Sequence, residues 1–212
     1  GLLAVGETAC VSVHGANRLG TNSLIDLIVF GKASSNTAAK KIKTNSQKFE
    51  IKKSLTDEIL NRFDNIRFNK GDINSGEIRN SMQKIMQEKC SVFRTHKLIQ
   101  EGIDEFEKID SSINNVDVKD KSKIFNTDLI EALELHNLIS QSKVTLHSAL
   151  YRKESRGAHA REDFKNRDDE NWLVHSLAWL DKKGKVSMGK RPVHMNTLSN
   201  HVQPIAPKKR TY

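Results

Sequence analysis

The 212 residues carry 35 lysines and arginines against 26 aspartates and glutamates, a net charge of +9, with 36% hydrophobic and 29% charged residues. That balance describes a globular chain, not a disordered or fibrous one, and the length suits one large or two small domains. No apolar run approaches the roughly 18 to 20 residues of a membrane span, and Cys10 and Cys90 lie far apart without CxxC spacing or a histidine pair, which argues against a zinc site or a disulfide framework and fits a reducing compartment.

In chain order, "GLLAVGET" carries no methionine or basic n-region, and it reads as the expected mid-strand start of a fragment. Residues 2–5, "LLAV", closed by Gly6, read as a strand buried on both faces of a parallel sheet. Glu7 then stands just beyond the carboxyl end of that strand, where open α/β sheets bind ligands and glycine permits close backbone approach. The loop "VHGANRLGTNSL", residues 13–24, is too polar for a core and too specific for a linker. It feeds a helix that starts at Asn22 or Ser23, both good caps, and runs to about Ser34. Leu24, Ile25, Leu27, Ile28, Val29 and Phe30 leave that helix little polar face, so burial on most sides is expected.

From Asn36 the segments lengthen and take helical spacing. Met82, Ile85, Met86 and Cys90 recur at three- and four-residue steps, as do Ile99, Ile103, Phe106 and Ile109, while Leu129, Leu133 and Ile139 share a broader stripe. Gly71, Gly76 and "SSINNVDVKDKS" punctuate them, giving a bundle of three or four helices over about 38–150 whose methionines and phenylalanines are core, not a cofactor box. After Tyr151 comes an arginine-rich stretch with Gly157 and His159 between Arg156 and Arg161. "SLAWLDKKGKVSM" then reads as a hairpin around Lys183-Gly184, and a tail with Pro192, Pro204 and Pro207 reads as extended.

Much of the positive charge is local. Lys40, Lys41, Lys43, Lys48, Lys52 and Lys53 crowd one segment, and Lys208, Lys209 and Arg210 lie near the end. Stacking aromatics are sparse near these lysines and no helix-turn-helix, finger or RNA-binding signature accompanies them, so a solvated face is expected and nucleic acid is not.

Four separated blocks carry a resemblance: "GETACVSVHGANRLGTNSLIDLIVFGKAS" at 6–34, "MQEKCSVFR" at 86–94, "RKESRGAHAREDFKNRDDENW" at 152–172, and the "KRPV" and "APKKRTY" segments of the carboxyl-terminal tail. Their order and spacing are similar to those of the succinate dehydrogenase and fumarate reductase flavoproteins, over roughly the carboxyl-terminal third of such a protein. No GxGxxG fingerprint occurs in the chain. The resemblance implies a mixed fold: the terminal strand and helix of an FAD-binding α/β domain (1–36), an α-helical bundle domain (37–150), and a small irregular α+β carboxyl-terminal domain with hairpin and extended tail (151–212).

By the same resemblance, Glu7 binds a hydroxyl of the flavin's sugar-like chain, and Ser23 and Leu24 reach the flavin through backbone N–H groups at a helix N-terminus. Arg18 grips a carboxylate of succinate or fumarate with its guanidinium fork. His14 and Asn17 brace the loop through its backbone more than they touch substrate. Arg156 and His159 support assembly around the flavin, although Arg152, Arg156, Arg161 and Arg167 against Glu154, Glu162, Asp163, Asp168 and Asp169 equally suit a structural ion-pair network. No metal ligand is expected, and no catalytic residue is assigned within the chain. The phosphate loop, the flavin-linked histidine, the proton-transferring arginine and a further substrate histidine of the family fall outside it.

The expected role is thus a fragment of a flavoprotein that oxidises succinate to fumarate with FAD and passes electrons to an iron-sulfur subunit and quinone. Membrane-anchor subunits would hold it peripherally, facing the mitochondrial matrix or bacterial cytoplasm. Turnover by the chain alone is not expected. Two other readings stand beside this: one chain of a split flavoprotein that works only with an amino-terminal partner, and a basic module that binds nucleic acid or anionic lipid. The motifs do not distinguish succinate oxidation from fumarate reduction.

Overall fold

Local capping chemistry sets where most of the helices start. The computed structural model describes residues 1–44, 50–197 and 199–208; Lys48, Lys209 and Arg210 lie outside the described residues. Helices α2 (Lys53–Arg67), α3 (Ser75–Lys89), α4 (His96–Ser112) and α5 (Thr127–Tyr151) form the bundle. The Asn74 side chain accepts from the Gly76 N–H at 2.7 Å, Thr95 from Leu98 at 3.2 Å and Asn126 from Leu129 at 2.8 Å, each satisfying a donor that the helix leaves free. Gly76 therefore lies inside the first turn of α3, not in a loop.

The apolar stripes meet as expected. Met82, Ile85, Ile99, Ile103, Phe106, Ile109, Leu129, Leu135, Ile139 and Leu146 form one core, with Met86 and Leu133 packed at its edge. Helix α5 is the axis: α2, α3 and α4 lean on it, as do β5 (Val174–Leu180) and β6 (Val186–Pro192). Two short parallel bridges tie the loops down. Ile73↔Val116 joins β1 (Ile73–Asn74) to β3 (Val116–Asp117), and Phe93↔Ala160 joins β2 (Phe93–Arg94) to β4 (Ala160–Arg161).

The expected hairpin is present. β5 and β6 pair antiparallel from Val174↔Pro192 to Leu180↔Val186. Gly184 takes φ +78° in the connecting turn, and Asp181 Oδ1 accepts from the N–H groups of Lys183 (2.8 Å) and Lys185 (2.9 Å). Four-residue α6 (Asp169–Trp172) precedes it, capped by Asp168. Pro192, expected in the tail, closes β6; beyond it the described residues hold no helix or strand, and Arg167 holds the tail by donating to the Lys208 carbonyl at 2.8 Å.

Two expectations at the amino-terminal end fail. Residues 2–5 form no strand, Leu2 is 97% exposed, and a 3-10 turn occupies Gly6–Thr8. A parallel strand forms only beside neighbours that complete its ladder, and no described strand lies against it. Helix α1 (Asn22–Thr44) runs well past Ser34, so the expected division at 36/37 falls inside it. It is not buried on most sides: Leu24 and Ile28 are 71% and 72% exposed, and Asp26 is its buried residue. Among the described residues no sheet lies beneath it to cover that apolar surface. The mixed class of helix and strand holds. No helix among the described residues is long and apolar enough to cross a membrane.

Candidate functional site

The site begins where the Gly6–Thr8 turn, the loop 13–21 and the first turn of α1 meet. Arg18 Nη2 lies 3.3 Å from Glu7 Oε1, so the residue expected to grip substrate and the acid expected to hold flavin face each other. Both are accessible: the Arg18 side chain is 34% exposed and that of Glu7 80%. The Ser23 N–H donates to the Gly20 carbonyl at 3.3 Å, and Leu24 presents its side chain to solvent. The Asn22 N–H is likewise taken, by the Leu19 carbonyl at 3.0 Å, so the mouth of α1 sets the Leu24 N–H and the positive end of the helix beside a cation and an acid, a setting that favours anionic and carbonyl oxygen atoms.

His14 bonds to a side chain and not to the loop backbone. Its Nε2 donates to Asp26 Oδ2 at 3.0 Å, and Asp26 is only 6% exposed, with Oδ1 lacking a partner among the described residues. The pair pins the loop to the next turn of α1. Asp26 was legible in principle as the one acid within "SLIDLIVF", because a buried carboxylate needs a partner. Arg191 of β6 adds a second tether by donating to Ser12 Oγ at 2.8 Å.

The carboxyl-terminal block closes against the same loop. Arg156 and His159 bond to each other through both backbone N–H groups (2.9 and 3.1 Å), making a tight turn with Gly157 at φ +58°. Gly157 abuts Ala16 and Asn17; Asn17 itself is exposed. Behind the turn, fully buried Glu154 accepts from Arg152 Nε (3.0 Å), Arg156 Nε (2.7 Å) and Nη2 (3.0 Å), and the Asp168 N–H (2.8 Å). Arg156 and Arg167 both reach Asp169, which lowers its carboxyl pKa. His159 Nε2 donates to the Arg152 carbonyl at 3.1 Å, and burial, reinforced by nearby arginines, pulls the ring pKa down.

Arg161 shows what this network does. Almost wholly buried, it sends Nη1 to the carbonyls of Ala149 (3.0 Å), Leu150 (3.3 Å) and Arg152 (3.2 Å), capping the end of α5 with a cation. Its other face makes a two-pronged bond to Asp163, at 2.8 Å for each oxygen. Asp163 also accepts from the His96 N–H at the start of α4, and Arg161 above all holds its pKa down to about 2. The block is thus a clasp joining α4, α5 and the loop before α1. Arg152, Arg156, Arg161 and Arg167 are each paired here with Glu154, Asp163 or Asp169. Among the described residues, no group of three or more His, Cys, Asp or Glu side chains converges as a metal site.

Residues 79–212 match the family model described as "Fumarate reductase flavoprotein C-term". The whole chain is 50% identical to the succinate dehydrogenase flavoprotein subunit of Rickettsia conorii, covering 36% of that protein. It is 47% identical to the mitochondrial succinate dehydrogenase [ubiquinone] flavoprotein subunit of Oryza sativa, covering 34%. Among solved structures, E. coli quinol fumarate reductase superposes with a TM-score of 0.87 at 35% identity, over 95% of this chain and 34% of that one. The chain therefore belongs to the succinate dehydrogenase and fumarate reductase flavoprotein family, a family of oxidoreductases. It spans about a third of the length of these relatives and corresponds to their carboxyl-terminal part.

Proposed function

We propose that the chain forms the carboxyl-terminal part of a flavoprotein that oxidises succinate to fumarate, with Arg18 as its substrate-carboxylate ligand. One observation carries this reading: the Arg18 guanidinium stands accessible at the mouth of α1 with a carboxylate, that of Glu7, already 3.3 Å away. A guanidinium so placed can take a substrate carboxylate on the same fork. Glu7 offers acceptor oxygens to a hydroxyl of FAD, and the Leu24 N–H suits its ring carbonyl, with the Ser23 N–H joining once it leaves the long 3.3 Å bond to Gly20; the residues present fit the group. FAD, when bound, supplies the acceptor for the substrate's hydride. For both roles the Arg18–Glu7 pair must part, which costs within about 1 kcal/mol for so exposed an ion pair.

Arg18 orients the dicarboxylate and offsets negative charge that develops during transfer. His14 and Asp26 hold the loop while it does so. The dinucleotide fingerprint and the proton acceptor would come from an amino-terminal portion, on the same or a separate polypeptide. One acid and one helix N-terminus cannot enclose a dinucleotide, so these residues alone do not turn over succinate. Electrons would leave through an iron-sulfur subunit toward quinone, with anchor subunits holding the assembly peripherally at the inner membrane. The Rickettsia and Oryza relatives, at 50% and 47% identity, are succinate dehydrogenase subunits, which supports reading the reaction as oxidation, with fumarate reductase also close at 35%.

The test is Arg18→Gln in the assembled flavoprotein. Loss of one bidentate ionic contact should raise KM for succinate at least about tenfold, from the 1.5–3 kcal/mol typical of hydrogen bonds to charged groups. An unchanged KM removes Arg18 from the substrate site. Mixed with FAD, succinate and an electron-accepting dye, the chain alone should leave the dye unbleached.

A further inference from the structure

The turn at Gly157 meets the loop at a point that matters for Arg18. A Cβ at 157 would lie 2.9 Å from Ala16 Cβ, 3.1 Å from the Ala16 carbonyl carbon and 3.3 Å from Asn17 Cβ. The first of these distances is closer than side-chain carbons pack, and φ of +58° adds a backbone penalty for any L side chain. Something has to give. The turn is held by the paired Arg156–His159 backbone bonds, by Glu154 and Asp169 on Arg156, and by the Arg152 carbonyl on His159. Ala16, Asn17 and Arg18 are exposed, so the loop is the side that yields.

We propose that Gly157 is a positioning residue for the substrate loop: its missing side chain sets where Ala16 and Asn17 lie, and through them the guanidinium of Arg18. The carboxyl-terminal clasp thereby does more than stabilise the fold. It supplies the surface against which the carboxylate ligand is registered, and the inference rests on the substrate role proposed for Arg18. Carboxylate recognition by a two-pronged fork depends on orientation, so a shift on the order of 1 Å weakens it.

The test compares Gly157→Ala, Gly184→Ala and Ala16→Gly/Gly157→Ala in the assembled flavoprotein, with rates expressed per bound flavin. Gly184, at φ +78°, carries the same backbone penalty in the distant hairpin and serves as the control. Gly157→Ala should raise KM for succinate about tenfold or more, removing the Ala16 methyl should restore part of it, and Gly184→Ala should leave KM in place. A fall in kcat per flavin with unchanged KM is what a merely structural glycine gives and overturns the proposal. If Gly157→Ala yields no folded flavoprotein, Ala16→Val presses on the same contact from the opposite side, and an unchanged KM there overturns it as well. Should Arg18→Gln raise KM while neither contact variant does, the positioning inference fails and the substrate reading stands; an unaltered KM in Arg18→Gln sinks the substrate reading itself.

Discussion

Replacing Glu154 with glutamine keeps the volume and removes one charge from the clasp. Glu154 is fully buried, and its two oxygens take four hydrogen bonds, three from guanidinium groups. If the new amide nitrogen takes the place of Oε2, it meets Arg156 Nη2 and the Asp168 N–H, so two attractive contacts become donor against donor. Arg156 keeps Asp169 at 2.7 Å, but Arg152 is left without a carboxylate. Breaking a buried ion pair by neutralising one partner costs about 3–5 kcal/mol. With a denaturant slope of about 2 kcal/mol/M, the urea midpoint should fall by about 1.5–2.5 M. Trp172 gives the signal, being 8% exposed and edge-on to Tyr151 at 5.5 Å; a Trp179→Phe background removes the exposed second tryptophan. Glu7→Gln, at the exposed Arg18 pair, should move stability by less than about 1 kcal/mol. A Glu154→Gln loss no larger than that of Glu7→Gln, at unchanged slope, would refute the reasoning that the clasp is held by this buried carboxylate.

Acid should act on the same region through Asp163. Its folded pKa of about 2 lies below the unfolded value, so the stability it contributes is present above about pH 4 and is lost as pH falls toward 2. Asp163→Asn should flatten that part of the stability profile, and a profile unchanged by the substitution would show that the Arg161 pair is not responsible. Thiol chemistry should separate the two cysteines. Exposed Cys10 should react promptly with a disulfide reagent near pH 8, whereas Cys90 is buried and burial pushes its thiol pKa up, so it should react only on unfolding. Equal rates in the folded chain would contradict the packing of the end of α3.

Sequence by itself determined the local and the periodic parts. The bundle core was legible because one face of each helix repeats at three- and four-residue steps, as in Ile99, Ile103, Phe106 and Ile109. The hairpin was legible because alternation flanks Lys183-Gly184, and the family because four motif blocks keep their order. Neither strand 2–5 nor the burial of α1 could be read this way. Apolar residues state a capacity to be buried, whereas burial depends on which surface is present to cover them. Helix α1 keeps its residues and shows them to solvent.

Only the tertiary structure decided what the charges do. Arg152, Arg156, Arg161 and Arg167 allow many pairings with five nearby acids on paper, and three-dimensional packing selects Glu154 as a buried hub and Arg161 as the cap of α5. The same packing turned His14 toward Asp26, brought Arg18 to Glu7, and set Gly157 against Ala16 across 141 positions of chain. Ion pairs and close backbone contacts between distant segments leave no period in the sequence, because their partners are chosen by the fold.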